Sequence, residues 1–216
     1  MTSVDTRLQH RFFSYIAALI FLVVAACSTS ERDEKLPIFG HRMVEGSDTI
    51  YHTIADFQFV DQDSNIVTQD TFRDKIYVAD FFFTSCRTIC PIMKTQMLRV
   101  YDSIKSDPDV LLLSHTIDPE YDTVGLLHDY ANRLGVESNK WHFVTGNQED
   151  IFNIAQTSYF ATALADDTEP DGFIHSGAFL LVDKDRRIRG KYDGTKDDDV
   201  DRLLRDIATL KREYAN

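Results

Sequence analysis

The sequence predicts an α/β domain built around a mixed sheet. Three observations carry that reading. Residues 76–83 and 110–117 are nearly continuous apolar runs, as expected of central strands buried on both faces. The stretches between and after them carry helix signals: Pro91 at a start, Asp122 or Thr123 as a cap, and Gly135 as a stop. The C-terminal third reads as a hairpin followed by an amphipathic helix.

Taken in order, residues 51–60 alternate enough for a strand, 61–65 (DQDSN) form a turn cluster, and 66–68 make the return strand. This is an N-terminal β-hairpin. The run 76–83 follows, then a helix from Pro91 to about Ile104. The second buried strand spans 110–117, and a second helix runs to about Leu134. Residues 141–145 form a short strand. Asn147 or Gln148 starts a helix ending near Thr157. Residues 158–173 read as an irregular, acidic loop containing Pro170 and Gly172. Residues 176–182 and 188–192 pair around Asp183-Lys184-Asp185-Arg186. Residues 198–214 close the chain as a helix, with Val200, Leu203, Leu204, Ile207 and Leu210 on one face. No internal repeat is present. The order fits a thioredoxin-like fold with insertions.

The chain of 216 residues supports one domain with a substantial core and is short for two. Its net charge is -12, and removing residues 1–26 leaves it more acidic. Phosphate binding needs a basic face, so nucleic acid is excluded as a partner. Residues 1–26 read as a targeting signal, with Arg7 and Arg11 before an apolar run at 12–26. That run is short for a membrane span of roughly 20 residues. It ends in Val24-Ala25-Ala26-Cys27, the pattern of a bacterial lipobox, in which the Cys27 thiol accepts lipid. An uncleaved anchor helix with an incidental cysteine is the other reading. Either places the body outside the cytoplasm and at a membrane. Residues 27–36 are then the lipidated cysteine and a polar tether, and 37–216 the domain.

Besides Cys27, the cysteines are Cys86 and Cys90, with three residues between them. A disulfide closing so short a loop stabilises little, and a structural zinc site wants four ligands. The pair therefore reads as chemical. It lies between the carboxyl end of a buried strand and a helix N-terminus. Ligands collect at that edge, and a helix N-terminus lowers thiol pKa. Two thiolates there can clasp one Cu(I) or form a disulfide. Seven histidines are available for a third donor, and spacing alone does not choose among them. His41, His52, His115, His128 and His142 read as structural or surface residues, and His10 lies in the signal. Met93 and Met97, four apart on a helix, read as core or contact residues. Asp80, inside an apolar strand, must be paired or lie near the site. Asp118 reads as a turn former.

Thr84-Ser85-Cys86-Arg87-Thr88-Ile89-Cys90-Pro91 resembles the T-x-C-x-x-x-C-P motif of the SCO/SenC family. Ile117-Asp118-Pro119-Glu120-Tyr121-Asp122-Thr123, Trp141 to Gly146, and His175-Ser176 resemble further stretches of that family, in the same order. The resemblance implies an anchored copper-binding protein with a thioredoxin-like fold, the 158–173 loop being an insertion before a metal-binding histidine. It implies Cys86, Cys90 and His175 as ligands for Cu(I) or Cu(II). It also implies a role in building the copper centre of cytochrome c oxidase, with that enzyme's copper-bearing subunit as partner and a copper donor upstream. One departure is Ile174, where many members have aspartate. The competing expectation is an extracytoplasmic thiol–disulfide oxidoreductase, in which Cys86 attacks and Cys90 resolves. A thiol peroxidase of this fold would not require the pair or His175. The three-residue spacer, and a histidine where such oxidoreductases carry a cis-proline, favour copper.

Overall fold

The computed structural model describes residues 35–166 and 172–215. The expected signal, Cys27, the tether through residue 34, and Pro170 lie outside the described residues. Seven strands form the main sheet. These are β3 (Gln58–Asp61), β4 (Ile66–Thr68), β5 (Ile76–Phe82), β6 (Val110–Thr116), β7 (Trp141–Thr145), β10 (Ala178–Val182) and β11 (Ile188–Asp193), in the spatial order β11-β10-β5-β6-β7-β3-β4. β5, β6 and β7 are parallel, while β10 and β3 pair antiparallel to β5 and β7. Four helices pack on this sheet: α1 (Cys90–Ile104), α2 (Val124–Leu134), α3 (Gln148–Thr157) and α4 (Asp197–Ala215).

The apolar runs behave as their composition dictates. Every residue of β5, β6 and β10 is buried. Strands covered on both faces gain burial at every side chain, each worth roughly 1.5–3 kcal/mol for a large aliphatic residue. The local signals also act as expected. Thr123 Oγ1 accepts the Leu126 N–H at the start of α2, and Gly135 ends that helix with φ +69°. Asn147 caps α3 through the Asp150 N–H. Helix α4 buries Val200, Leu203, Ile207 and Leu210, whereas Leu204 packs at the core's edge.

Two small ribbons depart from the expected elements. The strand expected over 51–60 is two separate elements. Its start belongs to β2 (Asp48–Tyr51), which pairs with β1 (Arg42–Glu45), and its end is β3. β1 is exposed along its whole length, so no burial alternation marks it. The stretch 158–173 is not wholly irregular. It contains β8 (Ala163–Ala165), which pairs antiparallel with β9 (Phe173–His175). His175 is therefore a strand residue opposite Ala163.

Within β5, Asp80 is 5% exposed. It accepts the Ser114 hydroxyl at 2.5 Å, and the Trp141 indole N–H donates to Ser114 at 2.8 Å. Burial pushes the Asp80 carboxyl up to about 7 from 3.8, against the opposing pull of Ser114. Between those values the folded chain holds a proton that the unfolded chain has released. Stability therefore falls as pH rises through that window. Asp80→Asn cannot titrate there, and relative to wild type it should gain up to about 4 kcal/mol between about pH 4 and pH 7. Urea midpoints of both proteins across that range check it. Parallel stability curves would show that Asp80 ionises as freely in the fold as out of it.

Candidate metal centre

The centre is assembled at the carboxyl end of β5. Past Phe82 the chain turns sharply, with the Cys86 N–H donating to the Phe83 carbonyl at 3.3 Å. The loop Arg87–Thr88 is exposed, whereas Cys86 and Cys90 are 8% and 6% exposed. Cys90 is the first residue of α1, one position ahead of the expected start, and Pro91 sits where its missing N–H costs nothing. His175 arrives from the other side. β10 runs antiparallel to β5, with Leu180 opposite Ala79. The residues just before β10 therefore lie beyond the end of β5, beside the cysteine loop.

His175 Nε2 lies 3.8 Å from Cys86 Sγ and 3.3 Å from Cys90 Sγ. The three ligand atoms lie within 4.8 Å of one another, and among the described residues no other trio of His, Cys, Asp or Glu side chains meets that condition. The Phe83 ring stands edge-on to the imidazole at 5.6 Å. Burial holds the imidazole below its ordinary pKa of 6.5, and backbone groups of Phe81 and Ser176 oppose that only in part. Its Nδ1 is buried without a hydrogen-bond partner among the described residues. Ile174, in place of the aspartate seen in many family members, offers it none. Burial thus favours the neutral ring, and Nε2 faces both sulfurs.

The two thiols differ in chemistry. Burial pushes Cys86 up, but bonds from Thr88 and Cys90 outweigh it and bring the thiol below its ordinary value. Thr88 Oγ1 lies 3.5 Å from Cys86 Sγ. Burial pushes Cys90 far up. The lowering expected from the helix N-terminus does not appear at Cys90, where desolvation of the charged form is the largest influence. Cys86 is the better thiolate because it is less deeply buried than Cys90 and because its hydrogen bonds outweigh the desolvation that remains. Two sulfurs and one imidazole nitrogen make a soft set of three donors. That is one short of a closed zinc site and suits Cu(I), which accepts two or three soft ligands.

The remaining candidates lie elsewhere. Met93 and Met97 are core residues, 2% and 1% exposed. His115 is fully buried among Phe57, Phe59, Phe81 and Tyr159, and desolvation takes it down to about 3. His128 and His142 face Asp63 and Asp61 at 3.0 and 3.2 Å. His41 and His52 pack on Phe160. Asp80 lines a water-sized void of about 10 Å³ with Cys90, Lys94 and Tyr130. Asp118 accepts the Tyr121 N–H at 3.4 Å, as a turn former does.

Asp122 plays a part that sequence reasoning did not assign. It was a candidate cap for α2, but Thr123 takes that role. The Asp122 carboxylate is fully buried and accepts from the Thr84 N–H at 3.0 Å, from the Thr84 hydroxyl, and from the Thr116 hydroxyl at 2.5 Å. The available signal was the joint presence of Thr84 and Asp122 in the two motif stretches.

Comparison with known proteins agrees with this geometry. The SCO1/SenC family profile matches residues 46–212. The SCO1 protein homolog of Bacillus subtilis is 30% identical over 200 residues, covering 90% of this chain and 96% of its own. The solved structure of BsSco, described as a member of the Sco family of cytochrome c oxidase assembly proteins, is 30% identical. It superposes with a TM-score of 0.63 over 74% of this chain and 95% of its own. Arabidopsis thaliana ScoI with copper bound is 27% identical, with a TM-score of 0.62 over 74% and 98%. The fold is thioredoxin-like, and the chain belongs to the SCO1/SenC family.

Proposed function

We propose that this protein is a copper metallochaperone. In this reading Cys86, Cys90 and His175 bind copper, and the protein hands it to the copper-bearing subunit of cytochrome c oxidase. The observation that carries the reading is the convergence of His175 with two cysteines that precede it by 85 and 89 residues, all three donor atoms lying within 4.8 Å of one another. The copper-bound relative and the oxidase-assembly relative support the cargo and its destination. Three donors hold the ion while leaving room for an incoming ligand, which is what transfer by ligand exchange needs. Cys86 provides the readier thiolate. Cys90 gives up its proton when the ion binds, and neutral His175 supplies the third donor without doing so. A copper donor stands upstream on the same logic.

A second reading is thiol–disulfide exchange on exported cysteines. The thiol asymmetry favours it, because a lowered Cys86 beside a raised Cys90 is the pattern of an attacking and a resolving thiol. The two tasks are compatible, since a target's cysteines must be reduced before they take copper.

The location proposed is extracytoplasmic, with the chain held at a membrane by lipid on Cys27. This rests on the apolar run, the small residues before Cys27, and the polar tether after it. Among the described residues no helix is long and apolar enough to cross a membrane.

The reduced chain should bind one copper. Cys86→Ala and Cys90→Ala should each weaken Cu(I) by well over the roughly 10–100-fold typical of a change outside the ligand set. His175→Ala should weaken Cu(II) more than Cu(I), because Cu(I) tolerates two thiolates. Protonation of the ring should weaken Cu(II) only below its lowered pKa, hence below 6.5. Competition titrations with chelators measure all of these. A Cys86/Cys90 double variant that keeps wild-type affinity would refute the copper reading.

In cells lacking the protein, oxidase activity should fail most at low copper and return in part when copper is added, by mass action on the target. His175→Ala should behave like the deletion at low copper while its purified form still reduces a test disulfide. Full oxidase assembly with His175→Ala but not with Cys86→Ala would transfer the role to thiol chemistry. Cys27→Ser should leave an unlipidated precursor of higher mass in membrane fractions. Processing identical to wild type would replace the lipid anchor with an ordinary cleavage.

A further inference from the structure

We propose that Asp122 is the positioning residue of the metal centre, holding the cysteine loop in its ligating geometry through Thr84. This deepens the copper reading and rests on it for the identity of the ion, but not for the geometry.

The argument starts from the cost of the group. A carboxylate carries acceptors only, and burying it without donors is expensive. Asp122 is 0% exposed, and its carboxylate bonds run to Thr84 and Thr116. Its three donors come from two strand ends. Thr116 ends β6, and Thr84 lies two residues beyond β5 and two before Cys86. The backbone N–H and the hydroxyl of Thr84 both point at the carboxylate, one to each oxygen. Such a forked grip fixes the orientation of the Thr84 peptide as well as its position.

That peptide is where the centre is set. Phe83 and Thr84 are consecutive. The Phe83 carbonyl accepts the Cys86 N–H, and the Phe83 ring lies edge-on to His175. Rotation at Thr84 therefore moves both the cysteine turn and the aromatic wall of the imidazole. On its other side Asp122 is rigid. Its own N–H donates to the Asp118 carbonyl at 2.8 Å, and the next residue caps α2. The Ile117 N–H donates to the Phe82 carbonyl at 2.9 Å, so the two loops leave the sheet edge already in register. The exposed Arg87–Thr88 part of the cysteine loop has no comparable burial.

The test uses the full chain in detergent and acts first at Thr84, because Asp122→Asn risks the fold. Thr84→Val keeps the shape and the backbone donor but removes the hydroxyl donor, and Thr84→Ser restores it. With Cu(II), Thr84→Val should shift the thiolate charge-transfer band and the electron paramagnetic resonance signal, and Thr84→Ser should return both to wild type. Cu(I) affinity of Thr84→Val should fall about tenfold, the range of an outer-shell change. Thr84→Val should also unfold at a lower temperature, because a buried carboxylate loses a donor, and Thr84→Ser should restore it; the spectra and affinities are therefore read well below either transition, where both variants are folded. A copper-free arm keeps failure of the copper reading distinct. Equilibration with glutathione disulfide oxidises Cys86 and Cys90 to their disulfide and yields two reduced glutathiones. Thr84→Val should lower that equilibrium constant severalfold, because looser sulfurs have a lower effective concentration. If the wild-type chain binds no copper but the glutathione shift appears, the copper reading falls and the positioning role stands. If Thr84→Val leaves the spectra, the affinity and the glutathione equilibrium unchanged, Asp122 is a structural residue only and the proposal is overturned.

Discussion

The parallel pairing of β5 with β6 is the constraint on which the rest depends. It runs in unbroken register from Ile76 opposite Val110 to Phe82 opposite Thr116, with every residue of both strands buried. A slip of one residue would carry every side chain of a strand to the opposite packed face and part Asp80 from Ser114, so packing and that buried pair both hold the register. Its consequence is geometric. Two strands that start together and end together release their loops side by side at the carboxyl edge, where open α/β sheets bind ligands. The cysteine loop leaves β5 there, and the Asp118–Thr123 turn leaves β6. Because β10 is antiparallel to β5 on its other flank, the chain entering β10 comes from the same edge and carries His175 with it. Sheet topology alone therefore gathers three segments far apart in sequence.

Burial at that edge then sets the chemistry. The same desolvation lowers the His175 imidazole, raises the Cys90 thiol and also works against Cys86, where local hydrogen bonds outweigh it. A fully exposed trio would lose this differentiation, since water would level the two thiols. A fully enclosed trio would hinder exchange with a partner. The centre lies between these limits: buried sulfurs beneath an exposed Arg87–Thr88 turn, and a half-buried imidazole.

Much of the fold was legible because its signals are local or periodic. Apolar runs marked β5 and β6, Thr123 and Asn147 marked helix starts, and Gly135 marked a stop. The β1–β2 ribbon was not legible as a separate element. Arg42–Glu45 is exposed throughout, so packing imposed no alternation on its sequence. β8 and β9, three residues each, fall below the length at which periodicity means anything. Within the centre, the cysteines announced themselves by spacing and by their place after a buried strand. His175 did not. Spacing could not choose among seven histidines; His175 stood out only by its setting between an acidic loop and the apolar hairpin, and family resemblance pointed to it. The forked contact between Thr84 and Asp122 was beyond sequence reasoning: its partners lie 38 residues apart and meet only through the β5–β6 register.

Two buried carboxylates flank this edge, and their different surroundings fit different uses. Asp122 collects three donors from two loops, so its charge is matched where it sits, and removing it would leave Thr84 and Thr116 with donors facing nothing. Asp80, one strand away and beside Cys90, has the Ser114 hydroxyl as its one hydrogen-bond donor among the described residues, and burial prevails over that single bond. A well-satisfied carboxylate makes a rigid joint between loops, because every alternative position loses hydrogen bonds. An under-satisfied one makes a poor joint, because little opposes its protonation. A well-satisfied carboxylate thus stands on the Thr84 side of the centre, and an under-satisfied one shares a small void with Cys90. Donor count, more than the mere presence of a buried aspartate, separates the two.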